Sequence, residues 1–188
     1  MSTTTKAAPS PTKVVTGKVR LSYAHLLDPV AIQEGQEKKY SVSLIISKDS
    51  AKTLAAIENA INAAKDIGKS KWGGKIPAKL KLPLRDGDVE RPEDPAYANS
   101  FFLNCSSTQK PAVVDTSLQP IIEADKVYSG MYANVALNFY PFDTNGNRGV
   151  AVGLGNVRKV ADGDKLGGGS TVEEDFSNLE EEEEDPLM

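Results

Sequence analysis

The fold turns on residues 130–160, GMYANVALNFYPFDTNGNRGVAVGLGNVRKV. In its first half, Met131, Ala133, Val135, Leu137 and Phe139 alternate with Tyr132, Asn134, Asn138 and Tyr140. A period of two puts the first set on a buried face and the second on a wet one, which predicts a strand over 130–142. Asn145-Gly146 is a tight-turn pair, so a second strand returns over 149–160. Gly153 and Gly155 predict a bend in that second strand.

Working outward, the same alternation recurs twice. Over 13–24, Val15, Val19, Leu21 and Tyr23 share one parity, and Thr16, Lys18, Arg20 and Ser22 the other, with Gly17 marking a bulge or bend. Over 39–47, Tyr40, Val42, Leu44 and Ile46 oppose Lys39, Ser41 and Ser43. A polar loop, Asp28 to Glu37, joins these two, and further strands are expected over 99–106 and 112–115. Only 50–67 changes period. Leu54, Ile57, Ile61 and Ala64 step by three or four, the stripe of an amphipathic helix that Asp49 or Ser50 can cap and Gly68 can close. Residues 69–97 read as a long excursion with one short strand near Leu80 to Leu84. Five to seven strands with one inserted helix favour a small barrel over a doubly wound sheet. The expected organisation is a disordered arm over 1–12, one domain over 13–161, and a linker and acidic tail over 162–188.

Charge is unevenly spread. The 188 residues carry 22 Lys and Arg against 26 Asp and Glu, a net of −4. Nine of the acids lie after residue 172, which leaves the preceding chain a net of +5. A mildly basic body with an acidic tail points to a polyanion partner or a self-masking tail. One cysteine, Cys105, excludes an internal disulfide and a Cys-based zinc site, and one histidine, His25, excludes multi-His metal sites. No apolar run has the length of a membrane span, and the first dozen residues lack a signal-peptide core, so a soluble intracellular setting is expected. Gly153-Leu154-Gly155 lacks the third glycine of a dinucleotide loop. Asp143 to Asn147 lacks the bidentate Glu of a calcium loop, and Asp86-Gly87-Asp88 reads as a turn. The expectation is a protein that is not an enzyme and has no metal or cofactor.

The binding chemistry is concentrated between Lys69 and Arg85. That interval holds six cations (Lys69, Lys71, Lys75, Lys79, Lys81 and Arg85), no acid, and the only tryptophan, Trp72. Lysines attract phosphates at long range and an indole offers a face on which any base can stack, which is the chemistry of single-strand binding. Tyr132 and Tyr140, on the wet parity of their strand, are further stacking candidates. Phe102, opposite in parity to Leu103 and Cys105, is a weaker one, and Lys18 and Arg20 are candidate phosphate contacts. The tail run Glu180, Glu181, Glu182, Glu183, Glu184 and Asp185 can mimic a phosphate backbone in the basic groove. Its end, Pro186-Leu187-Met188, can offer an apolar tip to partner proteins.

Several strings resemble a known family: Gly17-Lys18-Val19-Arg20-Leu21-Ser22-Tyr23, Lys39 to Leu44, Lys71-Trp72-Gly73-Gly74-Lys75-Ile76-Pro77 and Leu82-Pro83-Leu84-Arg85-Asp86-Gly87-Asp88. Tyr128 to Ala133, Asn138 to Asp143 and Gly149 to Val157 carry it further. They look like the bacteriophage single-stranded DNA-binding proteins, a family formerly of unknown function, and the likeness runs from about residue 14 to 170. It implies a mainly β OB fold, a five-stranded Greek-key barrel, here with one inserted amphipathic helix and a long basic loop. It implies sequence-independent binding of single-stranded DNA in phage replication or recombination, in the cytoplasm of the infected bacterial host. Replication or recombination proteins would be recruited through the acidic tail. The rival expectation is a phage structural or assembly protein that uses the tail for partner contact.

Overall fold

The computed structural model describes residues 10–31 and 34–166. The rest of the expected N-terminal arm, over 1–9, and the acidic tail lie outside the described residues. In chain order the elements are β1 (Lys13–Val15), β2 (Val19–Val30), β3 (Lys39–Ser47), α1 (Ala51–Gly68), β4 (Arg85–Asp86) and the short α2 (Gly87–Glu90). They continue with β5 (Ser100–Ser107), β6 (Val113–Val114), β7 (Tyr132–Thr144) and β8 (Asn147–Ala161). Single 3₁₀ turns cover Pro95–Tyr97 and Ala124–Lys126.

Five strands close into a ring. β2 pairs antiparallel with β3, and β3 with β5 along its whole length, from Tyr40 opposite Ser107 to Ser47 opposite Ser100. β5 meets β8 in parallel at Ser106 and Gly153. β8 pairs antiparallel with β7, and β7 returns to β2 where Val19 faces Ala133. Closure removes the exposed edges that an open sheet of this size would present. This is the OB connectivity. β1 extends the edge of β7, β6 flanks β8, and β4 flanks β5.

Alternation fills the ring as the sequence pattern requires. Leu21, Leu44, Ile46, Leu103, Met131, Val135, Leu137, Phe139 and Val157 are buried inside. α1 packs on β7, β1 and β8 and buries Ile57, Ile61 and Ala64. Each such large aliphatic side chain contributes about 1.5–3 kcal/mol. Asn145 and Gly146 have φ of 52° and 86°, the doubly positive geometry of a two-residue hairpin turn between β7 and β8. The bend expected at Gly155 is a register shift between Val135 and Leu137, where Gly155 lies against the Ala136 backbone.

The differences from the sequence reading have local causes. Thr12, placed in the arm, is buried, and its carbonyl accepts from Phe139 N–H, so the folded body starts before residue 13. In β1 it is Val14 that is buried, and Val15 is 65% exposed, because Gly17 breaks the strand and resets the parity. Tyr23 also leaves the inward parity. Its φ is 48°, β2 and β3 lose register between Ser22 and His25, and the ring turns to solvent. Gly68 is the last helical residue, tucked under Trp72, and the chain reverses instead at Gly73 and Gly74, with φ of 76° and 90°. Ser50 precedes α1 without a side-chain cap bond. The strand expected near Leu80 to Leu84 is a single bridge, Lys81 to Gly149, followed by β4.

Beyond β8 the chain stays attached. Tyr128 Oη donates to Asp162 Oδ1 (2.8 Å) and accepts from Gly163 N–H (3.1 Å), and Leu166 N–H donates to Ser129 O. The linker expected from 162 therefore begins its course against the barrel.

Candidate nucleic-acid interface

A groove crosses the outer face of β3 and β5. Its floor is two rows of small or polar residues set by strand register. Ser22, Ser43 and Asn104 form one row, and His25, Ser41, Ser106, Gly153 and Asn138 the other. Strands lie about 4.8 Å apart, so a row from β2 through β3, β5 and β8 to β7 spans ~19 Å. Two clefts share Asn104. One, of about 530 Å³, lies beneath Lys81, Arg85 and Tyr140. The other, of about 470 Å³, lies beside Tyr23, His25 and Arg91. Ser43 Oγ is buried without a hydrogen-bond partner among the described residues and lines this second cleft. A buried hydroxyl of that kind has free capacity for a polar ligand or water.

Exposed rings stand at both ends of the groove. Tyr140 is 42% and Tyr23 58% exposed. Arg91 lies over three rings, 5.5 Å from Tyr23, 4.9 Å from Tyr97 and 5.0 Å from Phe102. Arg85 lies 5.5 Å from the Phe102 ring and pairs with Glu90, Nη2 to Oε1 at 2.6 Å. Phe102, Tyr97 and Ile45 form a second apolar cluster outside the barrel. Tyr97 and Phe102 meet edge to face at 5.2 Å. This cluster is a platform that carries the two arginines to the groove wall.

The Lys-rich excursion forms the wall near β8. Lys81 N–H donates to Arg148 O and Val150 N–H to Lys81 O, so the loop runs along the strand. Gly149 allows the approach, since a Cβ there would meet the Lys81 carbonyl and lie 2.9 Å from Lys81 Cβ. At the far end Trp72 pins the loop, its Nε1–H donating to Phe142 O at 3.1 Å.

The candidates from sequence therefore divide. Lys81, Arg85 and Tyr140 line the groove. Lys71, Lys75 and Lys79 stand exposed on the loop outside its lining, and Lys69 pairs with Asp66 at 3.5 Å. Trp72 is only 4% exposed, so its faces serve packing against α1 and β7, and the stacking role expected of it is not available in this structure. Phe102, 1% exposed, does point outward as its parity requires, but Tyr97 and the arginines cover it. Lys18 and Arg20 lie over Tyr132, at 5.3 and 5.7 Å, and Arg20 donates to the carbonyls of Gly130 and Asp164. Tyr132 is eight residues from Tyr140, ~27 Å along an extended strand. It lies against Gly163 in a patch separate from the groove.

Sequence reasoning missed Tyr23, Arg91 and the Ser/Asn floor. The parity of β2 hid Tyr23. Arg91 sits among Glu90, Glu93 and Asp94, outside the acid-free interval that drew attention. Beside the groove, Lys48 bridges Asp86 (3.0 Å) and Asp88 (2.8 Å). Its hydrogen bond from Lys48 holds the Asp88 carboxyl below the usual range. No cluster of three or more His, Cys, Asp or Glu suited to a metal occurs among the described residues. None of the described helices is long and apolar enough to cross a membrane.

Comparison places this geometry among known proteins. The family described as Enterobacter phage Enc34, ssDNA-binding protein, matches residues 12–187. Protein p50 of Acyrthosiphon pisum secondary endosymbiont phage 1 is 32% identical over 187 residues, covering 94% of this chain and 98% of its own. The solved structure of the single-stranded DNA-binding protein from bacteriophage Enc34 in complex with ssDNA has a TM-score of 0.73 at 23% identity, covering 83% of this chain and 90% of that one. The crystal structure of gp2.5, a single-stranded DNA binding protein encoded by bacteriophage T7, has a TM-score of 0.60 at 16% identity, covering 88% and 93%. These two likenesses establish a shared fold.

Proposed function

The chain belongs to the family of the Enterobacter phage Enc34 ssDNA-binding protein, and on that premise we propose that it binds single-stranded DNA of any sequence in the groove over β3 and β5. The observation that carries the reading is the pairing of a small polar floor with an exposed ring and a cation at each end. Tyr23 stands with Arg91, and Tyr140 with Lys81 and Arg85. OB folds bind oligonucleotides on this strand face, between loops that correspond here to β2–β3 and β7–β8. Rings stack on any base and cations neutralise phosphates, so neither reads sequence. The floor residues donate and accept hydrogen bonds without imposing a base-pair code.

The role is non-catalytic. The protein coats single strands during phage replication or recombination in the cytoplasm of the infected bacterium. Its acidic tail, Glu180 to Asp185, competes with polynucleotide phosphates for the cationic walls and recruits replication or recombination proteins. Leu166, the last described residue before that tail, lies beside Tyr23 and Tyr97 at one mouth of the groove, which supports the competition. Titrating labelled oligo-dT at two salt concentrations tests the function. Affinity is expected to fall as salt rises, by a log–log slope of ~0.7 per phosphate contact. Removal of residues 173–188 is expected to tighten binding, most at low salt. Absence of binding at low salt would overturn the assignment, and no gain on tail removal would overturn the competition.

A further inference from the structure

The turn that carries Arg85 and Arg91 to the groove also carries three acids, Asp86, Asp88 and Glu90. Short-range bonds fix its shape. Arg85 lies opposite Phe102 in the β4–β5 register, Asp86 Oδ1 accepts from Asp88 N–H to start α2, and Arg91 N–H donates to Gly87 O to end it. Gly87 lets the turn lie close against 97–100, since a Cβ there would come within 2.5 Å of the Tyr97 carbonyl and 2.8 Å of the Ser100 carbonyl. Two of the acids have a cation of their own. Lys48, which lines neither cleft, lies 3.0 Å from Asp86 and 2.8 Å from Asp88. Glu90 instead takes a groove cation. Its carboxylate accepts from Arg85 Nε at 2.9 and 3.0 Å and pairs with Nη2 at 2.6 Å, and Arg85 lines the first cleft.

A guanidinium holds an oxyanion best through two parallel N–H bonds, and Glu90 fills the Nε–Nη2 edge of Arg85 in that way. A phosphate on Arg85 either takes that edge from the carboxylate or shares one cation with a second negative charge. On the reading of the groove as a single-strand site, we propose that Glu90 is a built-in competitor for the DNA phosphate at Arg85, one that sets how readily the groove lets a strand go. The pair is exchangeable, because its side chains are 48% and 34% exposed and solvated ion pairs are weak. Once displaced, the carboxylate stays within reach, since β4 and α2 hold both residues on one short turn. A phosphate that loosens is replaced without a diffusive search, which speeds dissociation.

The test compares the full chain with its Glu90→Gln variant, by anisotropy on labelled oligo-dT through a salt series and by stopped-flow. Gln keeps an oxygen for Arg85 but no charge. The variant is expected to bind about 2- to 5-fold more tightly at low salt, with a salt dependence steeper by up to ~0.7 in log–log slope. The gain should lie in slower dissociation with association little changed, whereas a general loss of negative charge acts on association. In an Arg85→Ala background, Glu90→Gln is expected to change neither affinity nor dissociation. Glu93→Gln removes the same charge from an exposed position on the same segment and is expected to leave the dissociation rate unchanged. A gain carried by faster association, one matched by Glu93→Gln, or one that persists without Arg85 would overturn the competitor. So would a parent that binds oligo-dT and a Glu90→Gln variant indistinguishable from it, a result that leaves the groove reading standing. Absence of binding by the parent would overturn both.

Discussion

Arg91 and Tyr23 are stacked across the mouth of the groove, guanidinium to ring centroid 5.5 Å, with Nη1 donating to the Tyr23 hydroxyl at 3.4 Å. They come from elements distant in sequence. Tyr23 reaches the contact only because its backbone takes φ of 48° and turns the ring out of the barrel. Side chains other than Gly, Asn and Asp adopt that region at a cost, and the cost is borne where a ring is placed for a ligand.

Tyr23→Asn therefore separates function from folding. Asn suits the backbone but has no ring. Oligo-dT affinity is expected to fall about 5- to 150-fold, the equivalent of one lost stacking contact. The thermal midpoint is expected to hold or rise. Arg91→Ala is expected to flatten the salt dependence by ~0.7 in log–log slope. Fluorescence anisotropy and a melting curve on the same samples check both.

Trp72→Ala is expected to cost stability, about 3–5 kcal/mol as for large core truncations. Any loss of DNA affinity should follow the unfolded fraction. Because the indole is buried, its emission should shift little when oligo-dT saturates the protein. A denaturant melt alongside a fluorescence titration separates this from direct stacking, which would quench the emission strongly in a stable protein.

What was legible follows from what alternation encodes. It reports which way a side chain points from a regular strand, so β3, β5, β7 and β8 and their inward residues were readable, as were the Asn145-Gly146 turn and the stripe of α1. It cannot report what covers an outward residue. Phe102 was correctly turned outward, yet Tyr97 and Arg91, supplied by a distant loop, bury it. Nor does it survive a break. Gly17 reset the parity of β1, and the irregularity after Ser22 moved Tyr23 from the apparent core to the groove. Composition places Trp72 among lysines without saying that its indole N–H finds Phe142 O.

Gly149→Val places a branched side chain where Lys81 approaches β8. The Lys81–Gly149 bridge is expected to break, and limited proteolysis should cut within 75–85 faster than in the parent. Oligo-dT affinity should drop with the barrel's melting curve retaining a single transition.

Asp162 titrates below the usual carboxylate range because Lys159 Nζ, 2.6 Å away, and the Tyr128 hydroxyl favour its charged form. The depressed carboxyl adds stability above its ordinary value of 3.8, and that contribution is lost as pH falls through the lower, folded-state value. Between pH 7 and 5 the attachment of 162–166 is expected to be constant. Below about pH 4 the Gly163 and Leu166 amides should lose hydrogen-exchange protection ahead of the barrel strands, and Asp162→Asn should abolish that acid step.

A crystal structure of the tail-truncated protein with an oligo-dT strand addresses the central claim most directly. The account predicts bases stacked on Tyr23 and Tyr140, with phosphates at Arg91, Arg85 and Lys81 and the strand lying across Ser43, Asn104 and Ser106. A strand bound instead over the Lys18–Arg20–Tyr132 patch, or along the outer loop of Lys71 and Lys75 with the groove empty, would contradict it.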